Sequence, residues 1–182
     1  AEYGTGPAPH REDGPAAPVS PYGALKLAAT EWLGMLARTR GLKVTVLRPF
    51  RTYGPGDRTS VVGSACAAAV AGRTFEMSDG AQIREWNDVT AMATGIVRAA
   101  LDARGEGGVF NLGGGPRASV RDVVERVFRE AGVDPARIRI GALPRRAAEA
   151  QEFWGDHSRA EELWGPLPDP GLDAGIARAV AW

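Results

Sequence analysis

An α/β chain with a parallel sheet is the fold class that the sequence predicts. Three observations carry it: β-rich segments alternate with helical ones, the helices have start and stop signals, and no internal repeat divides the chain. The opening, Gly6 to Pro21, is Pro-rich and structure-poor. Ser20 and Pro21 then read as N-cap and first helical residue; Leu25, Ala28, Ala29, Trp32, Leu33 and Leu36 give an apolar helical face, and Gly41 closes it. Lys43 to Phe50 (KVTVLRPF) is expected to be a buried strand that stops at Pro49 and enters the loop RTYGPGDRTS.

An Ala-rich helix follows from Val61 to Ala71 with Gly72 behind it, then a loop with Asp79 and Gly80, and a helix from Asp88 to Ala103. Gly108 to Leu112 (GVFNL) reads as a strand leading into Gly113, Gly114 and Gly115. Ser119 with Asp122 resembles a capping box before VVERVF, in a helix that Gly132 ends. Arg137 to Ile140 reads as a strand, Ser158 with Glu161 starts a short helix that Gly165 ends, and Leu172 to Trp182 forms the last helix.

Composition excludes several function classes. The 182 residues carry 22 Lys plus Arg and 22 Asp plus Glu, a formal net charge of zero, whereas a nucleic-acid partner calls for a basic surplus. No run approaches the roughly 20 apolar residues of a membrane span, and AEYGTGPAPHREDGP has no apolar h-region. The expectation is a soluble, cytoplasmic protein with neither nucleic-acid nor membrane partners. A single cysteine, Cys66, permits no internal disulfide, and with only His10 and His157 beside it no structural zinc site is expected.

The first chemical constellation is Tyr22 and Lys26, spaced i and i+4 and therefore stacked on one helix face. A free tyrosine has a pKa near 10, so it is a poor base at neutral pH unless a cation stabilises its phenolate. Lys26, which with Lys43 makes up the two lysines of the sequence, can supply that cation. Taken alone, the pair is a weak pattern and reads more readily as a packing residue and a solvated charge.

The surrounding residues add a resemblance. PYGALKLAATEWL followed by GLKVTVLRPFRTYGPGDR resembles the extended short-chain dehydrogenase/reductase family, whose NAD-dependent epimerases and dehydratases modify nucleotide sugars. There a P-Y-G-x-S-K helix precedes a strand ending in R-P-x-N-x-Y-G-P. The likeness continues through AEYG, GRTFEMSDGAQIREWNDV, VFNLGGGPRAS and GDHSRAEELWG, in the family's order.

The resemblance implies the C-terminal strands and helices of an incomplete Rossmann-like sheet plus a small substrate-binding α/β lobe. Residues 1–59, with 86–113 returning to them, would belong to the cofactor domain, and residues 60–85 and 114–182 to the substrate lobe. It further implies Tyr22 and Lys26 as catalytic residues that also touch the cofactor, NAD or NADP, and Pro49 and Phe50 as the border of the nicotinamide. Arg84 and Arg146 would meet the diphosphate of a sugar nucleotide, with Arg145 competing for the second role. Arg51 stands where relatives carry Asn, so an amide contact to substrate would become a cationic one. No metal is implied, and the partners are a nucleotide-diphosphate sugar and either a second copy of the chain or a complementary N-terminal half.

Departures from the pattern narrow the activity. Leu25 replaces the family's Ser, R-D-F has become Arg84-Glu85-Trp86, and the acid of dehydratases two places before the tyrosine is Ala1. REWNDV looks most like sugar-nucleotide 4-ketoreductases, with epimerases close. The family's Gly-rich pyrophosphate turn has no counterpart before AEYG, so a fragment of a longer enzyme is expected, inactive by itself; the alternative is a non-catalytic sugar-nucleotide- or protein-binding remnant. Gly113, Gly115 and Ala118 do fit G-x-G-x-x-A, but Pro116 removes an amide that a phosphate cradle would use, and a simple turn is the expected reading.

Overall fold

A computed structural model describes residues 1–147 and 149–182. In chain order the elements are α1 (Pro21–Arg40), β1 (Val46–Pro49), β2 (Thr52–Tyr53), α2 (Val61–Val70), β3 (Phe75–Met77), β4 (Ile83–Glu85), β5 (Asn87–Asp88), α3 (Val89–Leu101), β6 (Val109–Leu112), β7 (Arg117–Ser119), α4 (Val120–Glu130), β8 (Ile138–Ile140), β9 (Glu152–Phe153), α5 (Ser158–Trp164) and α6 (Leu172–Ala181). The α/β class holds, and four of the five strand pairings are parallel.

Helix α1 forms where its caps dictate. Ser20 Oγ accepts the Gly23 amide at 3.1 Å, and Gly41, in the left-handed region at φ 64°, returns its amide to Ala37. Its apolar face does not behave as the sequence suggests: Leu25 and Trp32 are exposed, Ala28 and Ala29 likewise, and the buried residues of α1 are Gly23 and Thr30. The long helix touches the rest of these residues along a narrow strip, where Thr30 Oγ1 donates to Glu2 at 3.1 Å.

Strand β1 is shorter than KVTVLRPF, because a strand exists only where a ladder partner lies beside it. Gly107, at φ 77°, turns the chain immediately before β6, so pairing begins at Val46 opposite Val109 and ends at Pro49 opposite Leu112. Its residues are half-buried or exposed rather than buried. The sheet is also not one continuous surface: β2 pairs with β5, β3 with β8, and β4 lies between β7 (antiparallel) and β9 (parallel). These strands of two or three residues are too short to show a period-2 pattern, which is why most of them were not expected. In α5, His157 rather than Ser158 occupies the N-cap position, and Asp156 accepts the Ser158 amide at 3.0 Å.

The main core lies where α2, α4 and α6 meet. Val120, Val123, Val124, Val127 and Phe128 repeat at the helical spacing and are all buried on one face of α4. Ala-rich α2 lets its backbone come close, and Gly63 sits so near the Asp57 carbonyl that a Cβ would collide with it. Trp86 and Tyr53 seal this core toward β2 and β5. A smaller cluster joins α3, α5 and β6, with Phe110 edge-on to Trp164 at 4.8 Å. Among the described residues no helix is long and apolar enough to cross a membrane.

Cys66 faces the main core, and burial pushes its thiol up to about 11. We expect slow reaction with a thiol reagent at neutral pH and rapid reaction once denaturant opens the core; equal rates in both states would contradict this packing.

Candidate functional site

Two clefts flank the end of β1. The first, about 190 Å³, brings Tyr22 and Lys26 from the first turns of α1 together with Pro49 and Phe50. Lys26 Nζ stands 5.5 Å from the centre of the Tyr22 ring, the stacking that their i, i+4 spacing demands. Tyr22 is 64% exposed, so its hydroxyl is open to a ligand. Phe50 is fixed: its amide donates to Leu112 at 2.9 Å, and its ring rests against Phe153 and His157, at 5.5 and 5.3 Å between centres.

The floor of this cleft contains groups that sequence reasoning missed. Arg48 pairs with Glu2 at 2.7 Å and donates to the Tyr3 hydroxyl at 2.9 Å, and Tyr3 in turn donates to buried Asn111 at 2.5 Å. Burial raises the Tyr3 hydroxyl above its ordinary pKa, against the opposing pull of Arg48, so Tyr3 serves as a fixed strut rather than a base. No local spacing could reveal a chain of contacts between residues so far apart in sequence.

The second cleft, about 290 Å³, opens one residue further on. Arg51 and Arg146 line it with Gln82, Glu149 and the α2 N-cap Ser60. Phe50 and Arg51 are neighbours in extended chain and face different clefts, as alternation of side chains requires. The Arg51 guanidinium lies over Trp86 at 5.4 Å, and its carbonyl accepts both the amide and the side chain of Asn87, at 2.9 and 3.1 Å. Desolvation, then the Arg84 cation, holds Arg51 below its ordinary pKa.

Arg84 is in the same neighbourhood but is engaged by the protein itself. It pairs with Glu149 at 3.0 Å and donates to the carbonyls of Ala150 and Ile83 at 2.9 and 2.7 Å, which fastens β4 to the segment before β9. Arg145 is held by Asp79 at 2.8 Å and Gln151 at 2.7 Å, whereas Arg146 lines the cleft. Arg84→Ala therefore should cost about 2 kcal/mol of stability in chemical denaturation, the range for hydrogen bonds to a charged group, with Arg84→Lys recovering only part. An unchanged midpoint would mean that these bonds carry no net weight.

Glu85, the residue after Arg84 on β4, is buried. It accepts the Gly114 and Gly155 amides at 2.8 and 3.1 Å and meets His157 Nε2 at 2.8 Å. Gly115 donates to Asn87 Oδ1 at 2.9 Å. These glycines thus form a turn whose amides are directed inward, and a Cβ at Gly113 or Gly115 would run into Glu85 or the Trp86 carbonyl. They do not present a phosphate cradle. Among the described residues no group of three His, Cys, Asp or Glu side chains could hold a metal ion.

The family model described as NAD dependent epimerase/dehydratase family matches residues 1–113, and the chain belongs to this family. It is 34% identical over 184 residues to the UDP-glucose 4-epimerase of Mycolicibacterium smegmatis, covering 98% of this chain and 58% of that protein. Among solved structures it is similar to the dTDP-glucose 4,6-dehydratase DesIV of Streptomyces venezuelae with NAD and TYD bound, at TM-score 0.91 and 26% identity over 100% of this chain and 56% of the other. It is also similar to the UDP-glucose 4-epimerase of Thermotoga maritima with UDP-glucose, at TM-score 0.89 and 27% identity, covering 98% and 59%. The chain spans a little over half the length of these relatives. The Rossmann-like architecture implied by the sequence is the one these neighbours share over the matched portion.

Proposed function

We propose that the protein acts on a nucleotide-diphosphate sugar as an NAD(P)-dependent 4-epimerase, with 4-keto reduction as the closely related second reading. The observation that carries this is the convergence of Tyr22, Lys26, Pro49 and Phe50 on one cleft at the C-terminal end of a parallel strand, where open α/β sheets bind ligands. The names of the relatives and the ligands in their structures support it, and Ala1 in the place of the dehydratase acid speaks against dehydration.

The cofactor fits these residues at its nicotinamide end. Tyr22 and Lys26 offer polar groups beside the Phe50 ring, while the inward-facing Gly113 to Gly115 turn offers nothing to a pyrophosphate. When bound, a nicotinamide supplies hydride exchange at the sugar carbon. Tyr22 would take the proton from the sugar hydroxyl and give it back, and Lys26 would keep a cation beside that ring. Phe50, Pro49 and Phe153 would exclude water from the reacting face. Arg51 and Arg146 would hold the diphosphate as guanidinium forks, with Arg84 acting through the loop it fastens.

On this reading residues 1–59 and 86–113 belong to the cofactor domain, and residues 60–85 and 114–182 to the substrate lobe. The exposed α1 residues Leu25 and Trp32 favour a covering partner, either a second copy or a complementary N-terminal half. The test is to complete the protein with an N-terminal cofactor half of the family, incubate this full protein with NAD and UDP-glucose, and follow the sugar by NMR. Formation of the C4 epimer is expected. A dehydrated 4-keto product would replace epimerisation by dehydration, and no turnover of any UDP- or dTDP-hexose would leave the non-catalytic reading.

A further inference from the structure

The segment that leads from Tyr3 to α1 carries Pro7, Pro9, Pro15 and Pro18, so it cannot run a continuous ladder against its neighbours. Its attachment is concentrated at one residue. Between Thr5 and Val19 only His10 is buried. The His10 amide donates to the Trp154 carbonyl at 2.9 Å, and the His10 carbonyl accepts the Asp156 amide at 2.8 Å and Asn111 Nδ2 at 2.9 Å. Beside this bridge Arg11 pairs with Asp156 at 2.8 Å, and Glu12 accepts the Asn111 amide at 2.7 Å.

The slot takes the His10 ring as an uncharged aromatic group. The ring is stacked on Tyr3, 4.9 Å between centres and 10° from parallel, and its centre lies 4.4 Å from that of Phe153. Its Nε2 is buried and has no hydrogen-bond partner among the described residues, so an imidazolium would leave a charged N–H unpaired there. The charged groups of the surrounding elements give no compensation. Glu2 is paired with Arg48 and Asp13 with Arg11, while Asp156 is taken by Arg11 and the Ser158 amide. Glu12 holds the Asn111 amide, and Glu85, which reaches Gly155, is taken by His157 and two glycine amides. Arg48 over the Tyr3 ring at 4.9 Å and Arg117 over the Trp154 ring at 4.7 Å add positive charge to the same neighbourhood. Burial, and then the Ala1 amino group, hold the imidazole below its ordinary 6.5.

We propose that His10 is an acid-sensitive latch: its protonation withdraws the ring from Tyr3 and Phe153 and frees residues 5–19 from the segment between β9 and α5, while the core of α2, α4 and α6 stays folded. Tyr3 and Phe153 also line the Tyr22 cleft, so the latch couples the support of that cleft to pH. The device is independent of which substrate the cleft takes. A histidine whose folded pKa is depressed contributes stability that is complete above the unfolded value and is lost as pH falls from there through the folded one.

The test is amide hydrogen exchange of the full chain, followed by NMR and corrected for the intrinsic pH dependence of exchange. Protection of the His10, Asn111 and Asp156 amides should fall about fivefold between about pH 7.5 and about pH 5.5, the linkage effect of one proton taken up mainly by the open form. The carboxyls of Glu85 and Asp156, both held below their ordinary values, stay ionised over this interval. Amides of Val124 and Val127 in α4 should keep their protection. His10→Phe keeps an aromatic ring in the slot and cannot titrate, so its strap amides should be equally protected at both pH values, and the smaller His10→Leu should be as insensitive to pH. Constant protection of the wild-type strap would overturn the latch without any variant. The same loss in His10→Phe or His10→Leu as in the wild type would place the trigger elsewhere, and a parallel loss in α4 would make the change general unfolding.

Discussion

Tyr22→Phe in the full protein should lower turnover by about 10² to 10⁴, the usual range for a positioned acid or base. The substitution removes one hydroxyl and keeps the ring over which Lys26 stands at 5.5 Å, so the helix, the cleft wall and the cation beside it all persist. The loss should therefore fall on kcat, with KM changed little, because the hydroxyl matters only when a proton moves. Steady-state kinetics on both proteins make the distinction. Turnover equal to wild type would reduce Tyr22 to a surface residue, and a rise in KM alone would make it a binding group.

Glu85→Ala should be the most destabilising single change near the site, by about 3 to 5 kcal/mol, since it strips a buried acid from several buried donors at once. Gly114, Gly155 and His157 all converge on this one carboxylate, which ties the turn after β6 to the segment before α5 and lies behind Phe50. Glu85→Gln should retain part of the stability, because an amide oxygen still serves one of the backbone donors.

Acid should act on the same point. Burial by itself would raise the Glu85 carboxyl, but the bond to His157 and the two amides outweigh it, and its pKa lies below the ordinary 4.5. A depressed folded pKa contributes stability that is complete above the unfolded value and is lost as pH falls through the folded one. Denaturant midpoints should fall in the wild type as pH drops below the ordinary value of 4.5 and through the lower folded one, and the gap between wild type and Glu85→Gln should shrink over that descent. A gap that widens in acid would reverse the assignment.

The parts of this fold that could be read from sequence are those whose cause is local. Ser20, Pro21 and Gly41 cap α1 through contacts within four residues, and the valines of α4 announce their buried face by spacing alone. The start of β1 was not legible, because it is set by Val109 on the partner strand. Nor was the exposure of Leu25 and Trp32, since an apolar stripe records that a face can be covered without saying by what.

The same division runs through the site. Tyr22 and Lys26 stand one helical turn apart, and Arg51 drew notice as a departure from a motif. Glu85 and His157 are separated by 72 positions, and Gln82 and Glu149 by 67, and only the tertiary fold places them in contact. The glycine run after β6 shows the converse. Its spacing suits a phosphate cradle, yet the acceptors that occupy its amides, Glu85 and Asn87, come from β4 and β5.

The most direct test of the central claim follows the hydrogen on the sugar. The full protein with NAD is given UDP-glucose carrying deuterium at C4, and the epimer is analysed by NMR for the label. Removal and return of that hydrogen within one cleft, with Tyr22 handling only the hydroxyl proton, predicts an epimer that keeps deuterium at C4, formed at least about 10²-fold more slowly by Tyr22→Phe. Loss of the label to water, or an equal rate in the variant, would contradict the assignment of this cleft and of Tyr22.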